Sequence, residues 1–251
     1  MTARRQLVAL ALLLLPAAAS AQTPLTTPRT YVIVHGAWGG GWDWRAVDSA
    51  LTANGHRVQR VTLTGLGDRS HLANANIGLQ THITDVVNTI RFESLRDVTL
   101  VGHSYGGMVV TGAADQISDR IARVVYVDAF VPDSGESMAM LAGPGFNNMV
   151  AQSVKDGMIV PPWVPADAPA PKDTPHPLKT MTDTLHLTTP AARALPAHYI
   201  LTMDKGATED GFSASANRAA ARKWPVDTLT ADHTPERSAI PELVALLLRP
   251  R

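Results

Sequence analysis

The sequence predicts a doubly wound α/β domain on a mainly parallel sheet, and three observations carry that prediction. Short, continuously apolar and β-branched runs recur at Thr30 to Val34, Val98 to Val101 and Ile121 to Val127, the pattern of strands buried on both faces. Segments of helical period alternate with them, which argues for strand–helix–strand crossovers and reactive ends at the carboxyl edge of the sheet. The third observation is Gly102-His103-Ser104-Tyr105-Gly106-Gly107, a turn too tight for most side chains, set between a strand and the opening of a helix.

Each element follows in order. After the first strand comes His35-Gly36-Ala37-Trp38 and a glycine run, Gly39 to Gly41. Residues 42–54 have helical spacing, with Trp44, Val47 and Leu51 on one side and Gly55 closing the helix. Residues 57–63 read as a strand, and 79–90 as an amphipathic helix with Ile83, Val86, Val87 and Ile90 inward. The glycine turn leads into a helix over 105–117, and the strand 121–127 ends at Asp128. The alternation then breaks. Residues 130–196 are rich in Pro, Met and Ala without a clean period, and their apolar side chains predict a small cap rather than a free linker. A strand over 198–202, a helix over 211–223, a last strand over 226–230 and a closing helix over 236–248 complete the domain.

The chain opens with Arg4 and Arg5, an apolar run from Leu7 to Leu15, Pro16 and Ala19-Ser20-Ala21. That is the layout of a signal peptide, so residues 1–21 are expected to be removed on export to the periplasm or medium, with 22–29 as a linker and 30–251 as the domain. The apolar run is well short of the ~20 residues that span a bilayer, so no stable membrane anchor is expected. There is no cysteine, which excludes disulfides and thiolate metal sites. Charges balance at 22 basic and 22 acidic; without Arg4 and Arg5 they stand at 20 against 22, a net −2. Such a balance offers no footprint for nucleic acid. The glycine run lacks the spacing of a phosphate loop, and neither a metal nor a cofactor is implied.

Ser104 is the candidate nucleophile. A serine hydroxyl attacks at neutral pH only when a histidine takes its proton and a third group orients that histidine. His233, in the loop after the last strand, is the candidate base. Two carboxylates compete to orient it: Asp204, just beyond the strand ending at Thr202, is favoured over Asp128, which ends the preceding strand. The remaining histidines read as structural or solvated. Backbone N–H groups of Tyr105 and Ala37 are the candidate oxyanion donors. Trp38, Met138 and Trp163 are candidates to line a pocket, with core packing an equal reading for the methionine.

The set Val34-His35-Gly36-Ala37-Trp38, Trp42-x-Trp44, Gly55-His56-x-Val58, Gly102 to Gly107, Asp128-Ala129-Phe130-Val131-Pro132 and Asp232-His233 resembles the α/β-hydrolase superfamily. It is most similar to the branch of plant methyl-ester esterases, hydroxynitrile lyases and bacterial EstC-like esterases. The resemblance implies an α/β-hydrolase fold with a small cap after the Asp128 strand, Ser104 as nucleophile, His233 as base, Ala37 and Tyr105 as oxyanion donors, and a small-molecule ester as substrate. Thr202-x-Asp204-Lys205-Gly206 is similar to the stretch that holds the acid in the plant esterases, while bacterial relatives resembling Thr64-Gly65-Leu66-Gly67 keep Asp128 open. The branch's lyases carry a threonine where this chain has Gly36 and a lysine where it has Thr234, so both positions favour the esterase over a hydroxynitrile lyase. A lactone hydrolase using the same triad is a second enzyme reading, and a non-catalytic small-ligand-binding protein would be expected to show a broken triad, whereas here every role has a candidate.

Overall fold

A computed structural model describes residues 27–250, so the expected leader and most of the linker lie outside the described residues. The first half of the chain alternates strand and helix: β1 (Thr30–Val34), α1 (Arg45–Ala53), β2 (Arg57–Val61), α2 (Leu79–Phe92), β3 (Val98–His103), α3 (Gly106–Ile117) and β4 (Ile121–Val127). A short 3-10 turn, Gly41–Trp44, precedes α1. The segment after β4 carries α4 (Met138–Ala142), α5 (Pro144–Ser153), β5 (Val154–Lys155), β6 (Met158–Ile159), β7 (His176–Pro177), α6 (Leu178–Thr182) and α7 (Pro190–Arg193). Then come β8 (Ala197–Met203), α8 (Ser213–Ala221), β9 (Val226–Thr230), α9 (Pro235–Ser238) and α10 (Ile240–Leu248).

The main sheet has the order β2-β1-β3-β4-β8-β9, and all its pairings are parallel. From β1 the chain goes outward to β2 and then returns to place β3 on the other side of β1. That reversal opens a crevice beyond the carboxyl ends of β1 and β3, where ligands bind in open parallel sheets. Register keeps those ends level: Val34 pairs with Gly102, His103 with Val127 and Val127 with Ile200.

The period-2 alternation of the strands builds two cores. Val32, Val34, Leu100, Val124, Tyr126 and Tyr199 face one side and pack under α2, α3 and α8. Tyr31, Ile33, Val101, Val125 and Ile200 face the other, under α1 and α10. Both faces of the central strands are therefore dry, and β3 and β4 contain no exposed residue.

One predicted element is corrected. The closing helix is not continuous: it breaks at Ala239 (φ −142°) between α9 and α10, because Pro241 lacks an N–H and its ring excludes the preceding turn, so it opens a new helix instead. Segment 130–196, which shows no period in sequence, forms a small antiparallel sheet β5-β6-β7 with flanking short helices. Its buried Met138, Phe146, Ile159, Met181 and Leu185 join the core on the α2–α3 side, which ties the cap to the sheet domain.

Close approach at Gly107 yields a stability prediction. A Cβ there would lie 2.1 Å from the Phe130 carbonyl oxygen, a backbone atom that cannot swing aside. Gly107→Ala should therefore cost about 3 kcal/mol, read as a lower urea midpoint. Gly145→Ala, in α5 with nothing within 4 Å, should instead gain up to about 1 kcal/mol.

Candidate active site

β3 delivers Ser104 to the crevice. Its φ is +51°, the left-handed region that a side chain normally avoids, and the turn is closed by the Gly107 N–H donating to the Ser104 carbonyl at 3.0 Å. The chain can turn this sharply because Gly106 leaves room: a Cβ there would lie 2.7 Å from the Val34 carbonyl oxygen on the neighbouring strand. Ser104 is 8% exposed.

His233 reaches back from the loop after β9, and its Nε2 lies 3.0 Å from Ser104 Oγ. Its Nδ1 lies 2.6 Å from Asp128 Oδ2. Asp128 leaves β4 one residue beyond Val127 with φ +43°, a conformation Asp tolerates, and is completely buried. Its Oδ1 accepts from the Thr202 N–H at 3.0 Å, and its own N–H donates to the Ile200 carbonyl at 2.7 Å. A carboxylate so fixed accepts from Nδ1–H and leaves the Nε2 lone pair facing the serine.

The preference for Asp204 over Asp128 is corrected by this geometry. β8 runs on to Met203, and Asp204 then enters an exposed turn in which its carbonyl accepts from the Ala207 N–H. Its carboxylate makes no bond to His233, whose Nδ1 faces Asp128. The place expected for an acid is taken differently: the loop that begins at Asp204 supplies Phe212, whose ring stacks on the His233 imidazole at 4.8 Å and 7°. Nothing in the sequence around Phe212 marks it out.

The loop after β1 closes the other side of the serine. A Cβ on Gly36 would fall 3.1 Å from Ser104 Cβ and 3.0 Å from His103 Nδ1, so the backbone here passes directly over Ser104. His35, 1% exposed, ties the loop down by donating from Nδ1 to the Gly36 carbonyl (2.7 Å) and accepting at Nε2 from the Leu63 N–H (3.1 Å). Among the described residues, neither the Ala37 nor the Tyr105 amide donates to a protein acceptor. Two unspent N–H groups on backbone that flanks the serine are what an oxyanion hole requires, and that of Tyr105 stands at the start of α3, where the helix dipole favours negative charge. Trp38 has φ +62°, and the Gly39 N–H donates to the Ala37 carbonyl at 2.7 Å, a γ-turn centred on a tryptophan. Such a turn is rare and costs about 1–3 kcal/mol.

The pocket candidates divide. Trp38 and Trp163 meet edge to face at 5.0 Å, with Trp163 54% exposed. Met138 is buried in the core.

Three histidines read as structural lie around the serine as buried scaffolding. His103 faces the His233 carbonyl through Nε2 at 2.7 Å, and burial pushes its pKa down to about 3. His82 donates from Nε2 to the Thr64 carbonyl and accepts the Tyr105 hydroxyl at Nδ1, both at 2.9 Å, and burial pushes it down to about 4. His176, on β7, is held well below the ordinary histidine value, again by burial. Glu236, 2% exposed beside His103, moves the other way, raised by burial to about 7. Among the described residues, no group of three or more His, Cys, Asp or Glu is arranged to hold a metal ion.

A parallel sheet that presents a strained serine at its switch point, with a histidine and a buried carboxylate from later strands, has the architecture of the α/β hydrolases. The chain belongs to the alpha/beta hydrolase family, whose model matches residues 31–246. It is 55% identical over 111 residues to the carbendazim hydrolyzing esterase of Nocardioides sp. (strain SG-4G), covering 44% of this chain and 46% of that protein. To methylesterase 2 of Arabidopsis thaliana it is 35% identical over 109 residues, 43% of this chain and 41% of the relative. The matched stretch thus spans about half the length of these curated relatives. Among solved structures, an extracellular α/β-hydrolase from a Paenibacillus species superposes with a TM-score of 0.73 at 23% identity, over 88% of this chain and 98% of that one. The Arabidopsis methylesterase MES16 gives 0.67 at 25% identity, over 88% and 98%. These two likenesses bear on the fold.

Proposed function

We propose that this protein is a serine esterase that hydrolyses small carboxylic esters through an acyl-enzyme on Ser104. The observation that carries the reading is the continuous chain from Ser104 Oγ through His233 to buried Asp128, with contacts of 3.0 and 2.6 Å. In this reading Ser104 attacks the ester carbonyl as His233 Nε2 takes its proton. The Ala37 and Tyr105 amides hold the oxyanion, His233 returns the proton to the departing alcohol, and a water activated by the same imidazole releases the acid. The named activities of the carbendazim hydrolyzing esterase and methylesterase 2 support the same chemistry. Export by way of residues 1–21 is part of the proposal.

Two local features support hydrolysis over cyanide elimination. The Cβ of a threonine at position 36 would press on Ser104 and His103, and Thr234 turns its N–H and hydroxyl to Asp232 Oδ1 at 2.8 and 2.9 Å, so no cation follows the base.

An organophosphorus or sulfonyl fluoride probe should add one label, at Ser104, and abolish turnover of short p-nitrophenyl esters. Labelling elsewhere by mass mapping, with Ser104 unmodified, would sink the assignment.

A further inference from the structure

We infer that the cap segment Thr174–Thr180 is a positioning element for the oxyanion loop, with His176 as the residue that holds Trp38 in its γ-turn and so sets the Ala37 amide. The inference rests on the serine esterase reading and extends it to a segment to which that reading gives no role.

Trp38 adopts a backbone conformation it would not keep alone, so something must over-determine it. Among the described residues, every hydrogen bond of Trp38 itself goes to the cap. The Trp38 N–H donates to His176 Nδ1 at 3.1 Å. The Trp38 carbonyl accepts from the Thr174 N–H at 2.9 Å, and its indole Nε1–H donates to the Ile159 carbonyl at 3.1 Å.

The protons on His176 are assigned by its partners. The Thr180 hydroxyl donates to the Pro177 carbonyl at 2.8 Å and so accepts at 2.7 Å from His176 Nε2–H, which leaves Nδ1 as the lone pair that Trp38 needs. The same ring packs edge-on against Tyr105 at 4.9 Å, and the Tyr105 hydroxyl is fixed by His82. One fully buried cap imidazole therefore touches the residues on which both proposed oxyanion donors depend.

A histidine that only filled space would tolerate an apolar residue of similar volume, whereas an anchor requires an acceptor at the Nδ1 position. The test compares His176→Leu with His176→Asn, whose Oδ1 can stand in for Nδ1. With a short p-nitrophenyl ester, His176→Leu should lose about 10- to 100-fold in kcat with KM within about threefold, the pattern of a group felt mainly in the transition state. His176→Asn should keep kcat within about threefold of wild type, and affinity for a trifluoromethyl ketone inhibitor should fall in step with kcat. Equal losses in the two variants, or wild-type kcat in His176→Leu, would overturn the inference. Should His176→Leu not fold, Thr180→Val decides. It leaves the ring but removes the tautomer lock, and kcat should fall about 3- to 10-fold; unchanged kcat counts against the anchor. Ser104→Ala is run alongside: turnover surviving in that variant removes the esterase reading itself, whereas an inactive Ser104→Ala beside a fully active His176→Leu removes only the anchor.

Discussion

Asp128→Asn is expected to lower kcat by about 10⁴ while Asp204→Asn stays within about twofold of wild type. The size follows from proton positions. Thr202 N–H needs an acceptor and finds Asp128 Oδ1, so an asparagine at 128 keeps its carbonyl there and turns its NH2 toward His233 Nδ1. The imidazole must then accept at Nδ1 and carry its proton on Nε2, where it opposes Ser104 Oγ and cannot take a proton from it. Because the substitution is isosteric and Asp128 sits in a fixed cage, the loss should fall on kcat with the fold intact by circular dichroism. Asp204, exposed in its turn, has no such linkage. Comparable losses in the two variants would overturn the assignment of the acid.

The second large effect is acid lability. His35, His82 and His103 are 1%, 0% and 4% exposed and are held by burial at about 4, 4 and 3, against an ordinary value of 6.5. Each is neutral in the fold while the unfolded chain binds a proton below pH 6.5, so the stability these rings represent is complete above that pH and drains away as pH falls toward 4. The amount is on the order of 3 kcal/mol per ring, and His176 adds in the same direction. Glu236 and Asp43, raised by burial to about 7 and about 6, oppose the trend, since the fold gains on them as pH falls through those values. Three rings and His176 against two carboxyls leave a net loss of several kcal/mol, a large share of a typical margin of roughly 5–15 kcal/mol. The guanidinium midpoint should therefore drop steeply between pH 6.5 and 4, and His82→Gln should flatten that slope by about one proton. A midpoint that holds level across this window would contradict the neutral state of the buried rings.

What could be read from the sequence follows the range of the forces involved. Strand and helix patterns are local, and the two-faced burial of Tyr31 through Val34 and the inward stripe of α2 match the period of the residues themselves. The position of Ser104 on its turn is legible because the turn needs glycines at fixed offsets, and the approach of His233 to it is legible because His233 lies in the loop after the last strand. The carboxylate beside His233 is not legible. Asp128 and Asp204 both stand at strand ends, and only the register of β4 on β8, together with the turn after Met203, decides which carboxylate lies beside the imidazole. The cap was unreadable for a related reason: strands of two residues have no period, and they exist only because their partners lie close in space. His176 shows the limit most clearly. A histidine between two prolines offers no clue that its acceptor is spent on an amide 138 residues away.

The strand order has a dynamic consequence. Ser104 and Asp128 leave adjacent strands, β3 and β4, in the middle of the ladder, whereas His233 follows β9, its outermost strand on that side. Fraying of a parallel sheet begins at its rims, so the excursion of lowest free energy withdraws the imidazole and leaves serine and carboxylate at their fixed spacing. Amide exchange would then be fastest along β9 and slowest along β3 and β4. Inactivation by mild heating would be the reversible departure of one ring from a frame that has not itself come apart.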